Sequence, residues 1–204
     1  MEINNLITDK KIFIIIPAFN EEKIIGEVID EVYNAGFENI IVVDDGSFDK
    51  TNEIAQEKGA IALRHSINRG KGAATQTGLD AAKLLDADIV VTIDGDGQHD
   101  PKDIIKVIKP IINNQCDVVL SNRLIDGARI PLGKRIINLV GNFVTYVFYG
   151  IYVSDSQSGM RAYNKKALYS INTTFDRYEY ESEIIKEIKV NKLIFKEVPI
   201  SIRY

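Results

Sequence analysis

Two aspartates separated by a single glycine follow a short apolar segment near the middle of the chain. Residues 89–93 read Ile-Val-Val-Thr-Ile, and residues 94–98 read Asp-Gly-Asp-Gly-Gln. The β-branched run is typical of a buried strand, and alternate side chains at an extended strand end point the same way. Asp94 and Asp96 are therefore expected to face one small volume, where their charges repel each other unless a cation joins them. Since hard divalent ions prefer oxygen ligands, the pattern predicts a Mg²⁺ or Mn²⁺ site, and Gly95 allows a ligand to approach the backbone closely.

This segment has three other interpretations. Asp and Gly favour turns, so the four residues could form only a turn. A calcium loop of the EF-hand type beginning at Asp94 would need Gly at position 99 and Glu at position 105, where this chain has His99 and Ile105. The third is the Asp-x-Asp loop of a phosphatase. The neighbouring elements have to decide between these interpretations.

The surrounding sequence alternates short apolar runs with amphipathic segments. It predicts strands at residues 12–16, 40–43, 61–64, 89–93 and 117–120, and helices at 21–35, 49–58, 73–85 and 101–112. Further along, it predicts a polar, flexible connection at 155–161, a helical turn at 165–168, a helix at 179–188 and a bent strand or strand pair at 193–202. Pro199 indicates that this last segment is a sheet edge or a bulge.

Strands that alternate with helices through short connections predict an α/β fold, a mostly parallel sheet sandwiched between helices, with residues 1–204 as one domain. The carboxyl ends of parallel strands meet at one rim, which is where open sheets of this class bind ligands. Polar or glycine residues follow each of the first four predicted strands, and together they favour a site at that rim over chance.

The charge and the composition of the chain argue against some classes of function. The 204 residues carry 25 basic and 29 acidic side chains, a net charge of −4, which argues against a general nucleic-acid partner. The single cysteine, Cys116, excludes an internal disulfide and fits a reducing compartment, and the first residues lack the features of a signal peptide. Residues 136–153 contain no charge and follow Lys134 and Arg135. This run suits a membrane-surface helix better than a membrane span, and a buried core or dimer helix is the other interpretation.

With these residues placed, the chain resembles the family-2 glycosyltransferases of the GT-A (Rossmann-like) fold. The matching stretches are Ile-Pro-Ala-Phe-Asn-Glu at 16–21, Val-Val-Asp-Asp-Gly-Ser at 42–47, Asn-Arg-Gly-Lys-Gly at 68–72 and Asp-Gly-Asp-Gly-Gln-His at 94–99. Together with Ser-Asn-Arg at 121–123 and Asp-Ser-Gln-Ser-Gly-Met-Arg at 155–161, they are most similar to the branch related to dolichol-phosphate mannose synthase.

The resemblance implies a metal-dependent, inverting transfer of a sugar from a GDP- or UDP-sugar to a polyprenyl phosphate. It also implies a cytoplasmic protein that could associate peripherally with the cytoplasmic face of the membrane; the oligomeric state is left open. For the donor, the resemblance implies that five residues border the base or ribose: Pro17, Ala18, Asn20, Glu21 and Asp45. Lys71, between two glycines at a helix start, could meet diphosphate oxygens beside backbone N–H groups.

The remaining expected roles concern the metal, the sugar and the phosphates. Asp96 and Gln98 are the expected metal ligands, and Asp94 is expected close to the sugar and ribose. Three arginines are expected to hold phosphate oxygens through their planar fork of donors: Arg123, Arg129 and Arg203.

The nature of the acceptor decides the role of Asp155. A phosphate acceptor is largely ionised at neutral pH, so Asp155 would then only orient the sugar or its loop. A sugar hydroxyl would need a general base, for which Asp155 is the candidate. Transfer to a hydroxyl and sugar-nucleotide binding without catalysis are the alternative functions; a nucleotidyltransferase is disfavoured, because Pro-Ala-Phe-Asn-Glu at 17–21 stands where that class needs a glycine-rich loop.

Overall fold

The described part of the chain forms one sheet of seven strands in the computed structural model, which describes residues 9–123, 150–155, 157–173 and 179–203. The strands are β1 (Ile12–Ala18), β2 (Asn39–Asp44), β3 (Ile61–Arg64), β4 (Ile89–Thr92), β5 (Val118–Asn122), β6 (Arg161–Asn164) and β7 (Phe195–Pro199). Their order across the sheet is β3-β2-β1-β4-β6-β5-β7. β7 is therefore an edge strand, as Pro199 predicted.

Six α-helices connect and cover these strands within the described ranges. They are α1 (Ile25–Asn34), α2 (Thr51–Glu57), α3 (Lys71–Leu84), α4 (Ile104–Ile112), α5 (Lys165–Ser170) and α6 (Glu179–Val190), and a short 3₁₀ turn, Pro101–Asp103, precedes α4. The predicted order of strands and helices from residue 12 to residue 122 is confirmed, with ends that move by a few residues.

The sheet is parallel except at β6. β1 pairs in parallel with β2 and β4, β2 with β3, and β5 with β7, whereas β6 runs antiparallel between β4 and β5. The predicted mostly parallel α/β sheet is confirmed, but the prediction of a flexible connection through Arg161 is wrong, because Arg161 begins a buried strand. The prediction that residues 1–204 form one domain stays a prediction.

The period-two pattern of β1 divides the core between the two faces of the sheet. Ile14 and Ile16 pack with the residues of α1 and α4, and Phe13 and Ile15 pack with those of α3, α5 and α6. α3 approaches β1 closely: a Cβ added to Gly78 would lie 2.4 Å from Cγ2 of Ile15. This close packing sets the position of the first residue of α3 above the carboxyl ends of the strands.

Candidate active site

A cavity of about 540 Å³ opens at the carboxyl ends of β1, β2 and β4. Eight of the residues predicted for the site line it: Pro17, Ala18, Glu21, Asp45, Lys71, Asp94, Gly95 and Asp96. The structure thus brings together residues from four separate loops, as expected for the rim of a parallel sheet. The other predicted residues, Asn20, Gln98, Arg123, Asp155 and Arg203, lie outside this lining, and Arg129 lies outside the described residues.

Asn20 braces the loop after β1 against the loop after β2. Its backbone N–H donates to Ser47 Oγ at 2.9 Å, and its Oδ1 accepts a hydrogen bond from the N–H of Phe48 at 2.9 Å. Asn20 has a φ of +56°, a left-handed conformation that Asn adopts more readily than most residues. Glu21 adds a third bond, from its N–H to Thr51 Oγ1 at 2.8 Å. These bonds hold one wall of the cavity rigid.

The carboxylate of Asp45 anchors the start of α3. Asp45 is 3% exposed, and its two oxygens accept hydrogen bonds from the backbone N–H groups of Arg69 (2.9 Å) and Gly70 (2.6 Å). Gly70 caps α3 with a φ of +108°, a conformation that favours glycine. Asp45 therefore positions the segment that carries Lys71.

Lys71 joins two carboxylates at the floor of the cavity. Its Nζ lies 2.7 Å from Oδ1 of Asp94 and 3.1 Å from Oε1 of Glu181, on α6. Burial disfavours the ammonium, but the charges of Asp94 and Glu181 outweigh it and raise the pKa of Lys71 above its ordinary value. Glu181 was not expected at the site, since the helical pattern of α6 gives no sign of where its polar face points.

Asp94 is held from three sides. Besides Lys71, Nε2 of His99 lies 3.4 Å from its Oδ2. Burial opposes ionisation, yet the charge of Lys71 and the hydrogen bond from His99 hold the pKa of the Asp94 carboxyl well below its usual range. The backbone of Gly159 packs against the same carboxylate, so closely that an added Cβ would lie 2.2 Å from Oδ2. Asp94 is therefore an ionised carboxylate in one fixed orientation.

Asp96 and Glu21 form the acidic front of the cavity. Asp96 is exposed, and its Oδ1 accepts the N–H of Gln98 at 3.0 Å. Burial, together with the charges of Asp96 and Asp49, raises the pKa of Glu21. Among the described residues, neither Asp96 nor Glu21 forms a salt bridge, and no three His, Cys, Asp or Glu side chains are grouped as a ready-made metal cage. The front of the cavity thus has an unbalanced negative charge.

Asp155 forms a bidentate ion pair with Arg123. Arg123 Nε donates to Oδ2 at 2.6 Å, and a terminal guanidinium nitrogen donates to Oδ1 at 2.8 Å. Burial lowers the pKa of Arg123, but the hydrogen bond and charge of Asp155 outweigh it and leave the pKa raised. Asp155 is 2% exposed, so this bidentate pair shields it from solvent.

Gln98, in the loop after β4, contacts Arg203, and neither residue lines the cavity. The carbonyl of Gln98 accepts the N–H of Arg203 at 3.0 Å. The guanidinium of Arg203 bonds to both carboxylate oxygens of Glu31 at 2.7 Å and lies 3.2 Å from Asp100. The roles expected of Gln98 in metal binding and of Arg203 in phosphate binding stay predictions.

Arg161 is a buried cation that was not among the predicted site residues. It is 3% exposed, and its Nε donates to the carbonyl of Ser158 at 3.2 Å. It lines a second, smaller cavity together with Lys71, Asp94 and Glu181, and Lys71 and Asp94 also line the main cavity. Because Arg161 is charged and its segment has no apolar pattern, the sequence did not indicate that this side chain is buried.

No helix in the described ranges is long and apolar enough to cross a membrane. The uncharged run at 136–153, for which a membrane-surface helix was predicted, falls almost wholly outside those ranges.

Comparison with known proteins identifies the family. Residues 13–171 match the family model of glycosyl transferase family 2. An uncharacterized protein of Methanocaldococcus jannaschii is 46% identical over 98% of this chain and 84% of its own length. The UDP-N-acetylglucosamine--dolichyl-phosphate N-acetylglucosaminyltransferase of Methanococcus voltae is 44% identical over 96% of this chain and 87% of its own length.

A solved structure supplies the fold. Glucosyl-3-phosphoglycerate synthase from Mycobacterium tuberculosis, crystallised with Mn²⁺, UDP and glucosyl-3-phosphoglycerate, superposes with a TM-score of 0.76 at 24% identity. The match covers 100% of this chain and 74% of that one. The sequence matches and the shared fold lead to one conclusion: the chain belongs to glycosyl transferase family 2 and has the GT-A fold.

Proposed function

We propose that this protein transfers a sugar from a UDP-sugar to the phosphate of a polyprenyl phosphate, by a single displacement that inverts the anomeric carbon. The pairing of Asp155 with Arg123 carries the proposal. Asp155 is buried and turns both oxygens toward Arg123, so it is poorly placed to take a proton from an acceptor. A phosphate acceptor needs no such base, because its second pKa is about 6.

The cavity and one relative support the nucleotide-sugar donor. Loops after β1, β2 and β4 surround a volume that suits a nucleoside diphosphate, and Asp94 presents a fixed, ionised carboxylate for sugar or ribose hydroxyls. Lys71 can contact the diphosphate only by exchanging part of its pairing with Asp94 or Glu181. The relative from Methanococcus voltae is named for UDP-N-acetylglucosamine, which favours UDP over GDP.

The acidic front of the cavity fits a divalent cation. Burial and the charge of Asp96 both raise the pKa of Glu21, and a cation between donor and protein would relieve the repulsion between the two carboxylates. Mg²⁺ is commonly held by one or two carboxylates together with substrate phosphates, so a full protein cage is not required. Asp96, with Gln98, would hold the Mg²⁺ or Mn²⁺ ion. When bound, the ion would neutralise negative charge on the departing UDP.

The acceptor would approach from the side of Arg123. The name of the Methanococcus voltae relative gives dolichyl phosphate as acceptor, and this supports a lipid phosphate. A lipid acceptor also supports a peripheral position at the cytoplasmic face of the membrane. The proposed contribution of Arg129 and of residues 136–153 to that surface concerns residues outside the described ranges.

A transfer assay tests the function. The protein is incubated with Mn²⁺ and UDP-N-acetylglucosamine, UDP-glucose or GDP-mannose, and each donor is paired with a short-chain polyprenyl phosphate, the matching polyprenol, or a free sugar. We expect a glycolipid product from a UDP-sugar with the polyprenyl phosphate only, and none after EDTA treatment.

Three outcomes would contradict the proposal. Product with a free sugar but not with polyprenyl phosphate would establish a hydroxyl acceptor. Turnover that is undiminished by EDTA would show that the transfer does not require a metal ion. Tight UDP binding without transfer to any acceptor in the panel would favour a sugar-nucleotide binder.

A further inference from the structure

His65 lies behind the cavity wall and links two elements through its two ring nitrogens. Nδ1 lies 2.7 Å from Oδ1 of Asp45, and Nε2 lies 2.9 Å from Oγ1 of Thr77, on α3. The side chain is 10% exposed. The backbone N–H of His65 donates to the carbonyl of Asp44 at 2.9 Å, so the ring is anchored to the end of the β2–β3 ladder.

The hydrogen-bonding pattern fixes which nitrogen carries a proton. An ionised carboxylate only accepts hydrogen bonds, so Nδ1 of His65 must donate to Asp45. Oγ1 of Thr77 also lies 3.0 Å from the carbonyl of Ala73. Whether the Thr77 hydroxyl donates to that carbonyl or to Nε2, the bond from Nδ1 to Asp45 remains.

Asp45 in turn determines the shape of the cavity wall. Its carboxylate receives three donors, His65 and the backbone N–H groups of Arg69 and Gly70. Gly70 and Lys71 line the cavity directly. Without His65, one carboxylate oxygen of Asp45 loses a donor, and the carboxylate gains freedom to rotate away from the two amides.

We propose that His65 is a positioning residue for the donor site: by donating to Asp45, it holds the wall formed by residues 68–71 in the shape that binds the nucleoside diphosphate. The proposal rests on the donor assigned above. It predicts an effect on donor affinity rather than on the chemical step, since His65 is not among the residues that line the cavity and acts on it only through Asp45.

Two substitutions separate the two ring nitrogens. The side-chain amide of His65→Asn can occupy the place of Nδ1 and still donate to Asp45. His65→Gln reaches toward Thr77 and leaves Asp45 without that donor. Thr77→Val is the matched control, because it removes the bond to Nε2 and leaves the bond to Asp45 in place.

Two measurements are made on each folded variant: the Kd of UDP with Mn²⁺ by calorimetry, and the hydrogen exchange of the Arg69 and Gly70 amides. We expect His65→Gln to weaken UDP binding about tenfold, as for the loss of about one hydrogen bond to a charged group. Amide exchange should accelerate in the same variant. His65→Asn and Thr77→Val should stay within about threefold of the wild type in both measurements, and kcat at saturating donor should change little in any of them.

Each result decides the matter. Equal losses in His65→Asn and His65→Gln would show that the ring serves general packing and would overturn the proposal, as would unchanged amide exchange in His65→Gln. If the wild type binds no UDP, the assigned donor is wrong, and the exchange of the two amides still tells whether His65 holds the wall.

Discussion

Replacement of Asp155 by Asn probes the acceptor chemistry and the buried ion pair together. The Asp155 side chain is fully buried and accepts the Arg123 guanidinium at 2.6 and 2.8 Å and the Arg123 backbone N–H at 3.2 Å. Asn keeps one acceptor oxygen but turns an amide N–H₂ group toward a guanidinium that can only donate. The variant therefore loses one of two charge-assisted bonds and the countercharge of Arg123.

The expected cost follows from the burial of the pair. Removal of one partner from a fully buried pair costs about 3–5 kcal/mol. The Arg123 side chain is 22% exposed and can recruit water, and Asn retains one acceptor, so we expect about 2 kcal/mol. For a chain of this size, that corresponds to a fall in Tm of about 4–8 °C.

The assay combines thermal unfolding with steady-state transfer to a polyprenyl phosphate. Below the lowered Tm, we expect kcat to fall by less than about tenfold, since an ionised phosphate needs no proton removed. Asp117→Asn is the control: Asp117 is also buried and accepts from Asn164 and Lys166, at the other end of β5. It should lower Tm and leave kcat unchanged.

The reasoning would be refuted by the opposite pattern. A loss of kcat of about a thousandfold in Asp155→Asn, with UDP still bound and Tm unchanged, would indicate that Asp155 is a general base. The hydroxyl-acceptor function would then replace the one proposed.

Three further predictions concern the floor and front of the cavity. Asp96→Ala should abolish Mn²⁺-dependent UDP binding in calorimetry without a lower Tm, and undiminished binding would remove Asp96 from the metal site. Gly159→Ala should lower kcat/KM at least tenfold, because the new Cβ would displace the Asp94 carboxylate; Gly26→Ala, on α1, is the control for an added methyl group. Since the folded-state pKa of Asp94 is depressed, its ion pair stabilises the fold above the ordinary carboxyl pKa of about 4 and loses that effect as pH falls below it. Lys71→Gln should therefore destabilise the protein at pH 7, and chemical denaturation should show the gap to the wild type narrowing below that pH.

The strands and the loops of the cavity could be predicted from local patterns. Runs such as residues 12–16 and 40–43 are apolar throughout because both faces of a central parallel strand are buried. Parallel strands bring their carboxyl ends to one rim, so residues from four distant loops could be assigned to one cavity from the sequence alone. The family motifs coincide with these loops, because the chemistry of the site is carried by the strand ends.

The partners of the charged side chains depended on the tertiary structure. Lys71 bonds to Glu181 across 110 residues, and Arg123 bonds to Asp155 across 32. No periodicity connects such positions, since helix and strand patterns show only which face of an element is buried. The candidate base Asp155 and the candidate phosphate ligand Lys71 are both ion-paired as a result.

The strand β6 also depended on the tertiary structure rather than on a local pattern. It reads Arg-Ala-Tyr-Asn, begins and ends with a polar residue, and follows a segment rich in Ser and Gly, so its start was assigned to a flexible connection. It becomes a central strand because β4 and β5 leave backbone groups between them that an antiparallel partner satisfies. Local sequence determined where the cavity-forming loops lie, because burial patterns are short-range; the tertiary structure decided how their charges are paired, because those pairings join segments that only the completed sheet brings together.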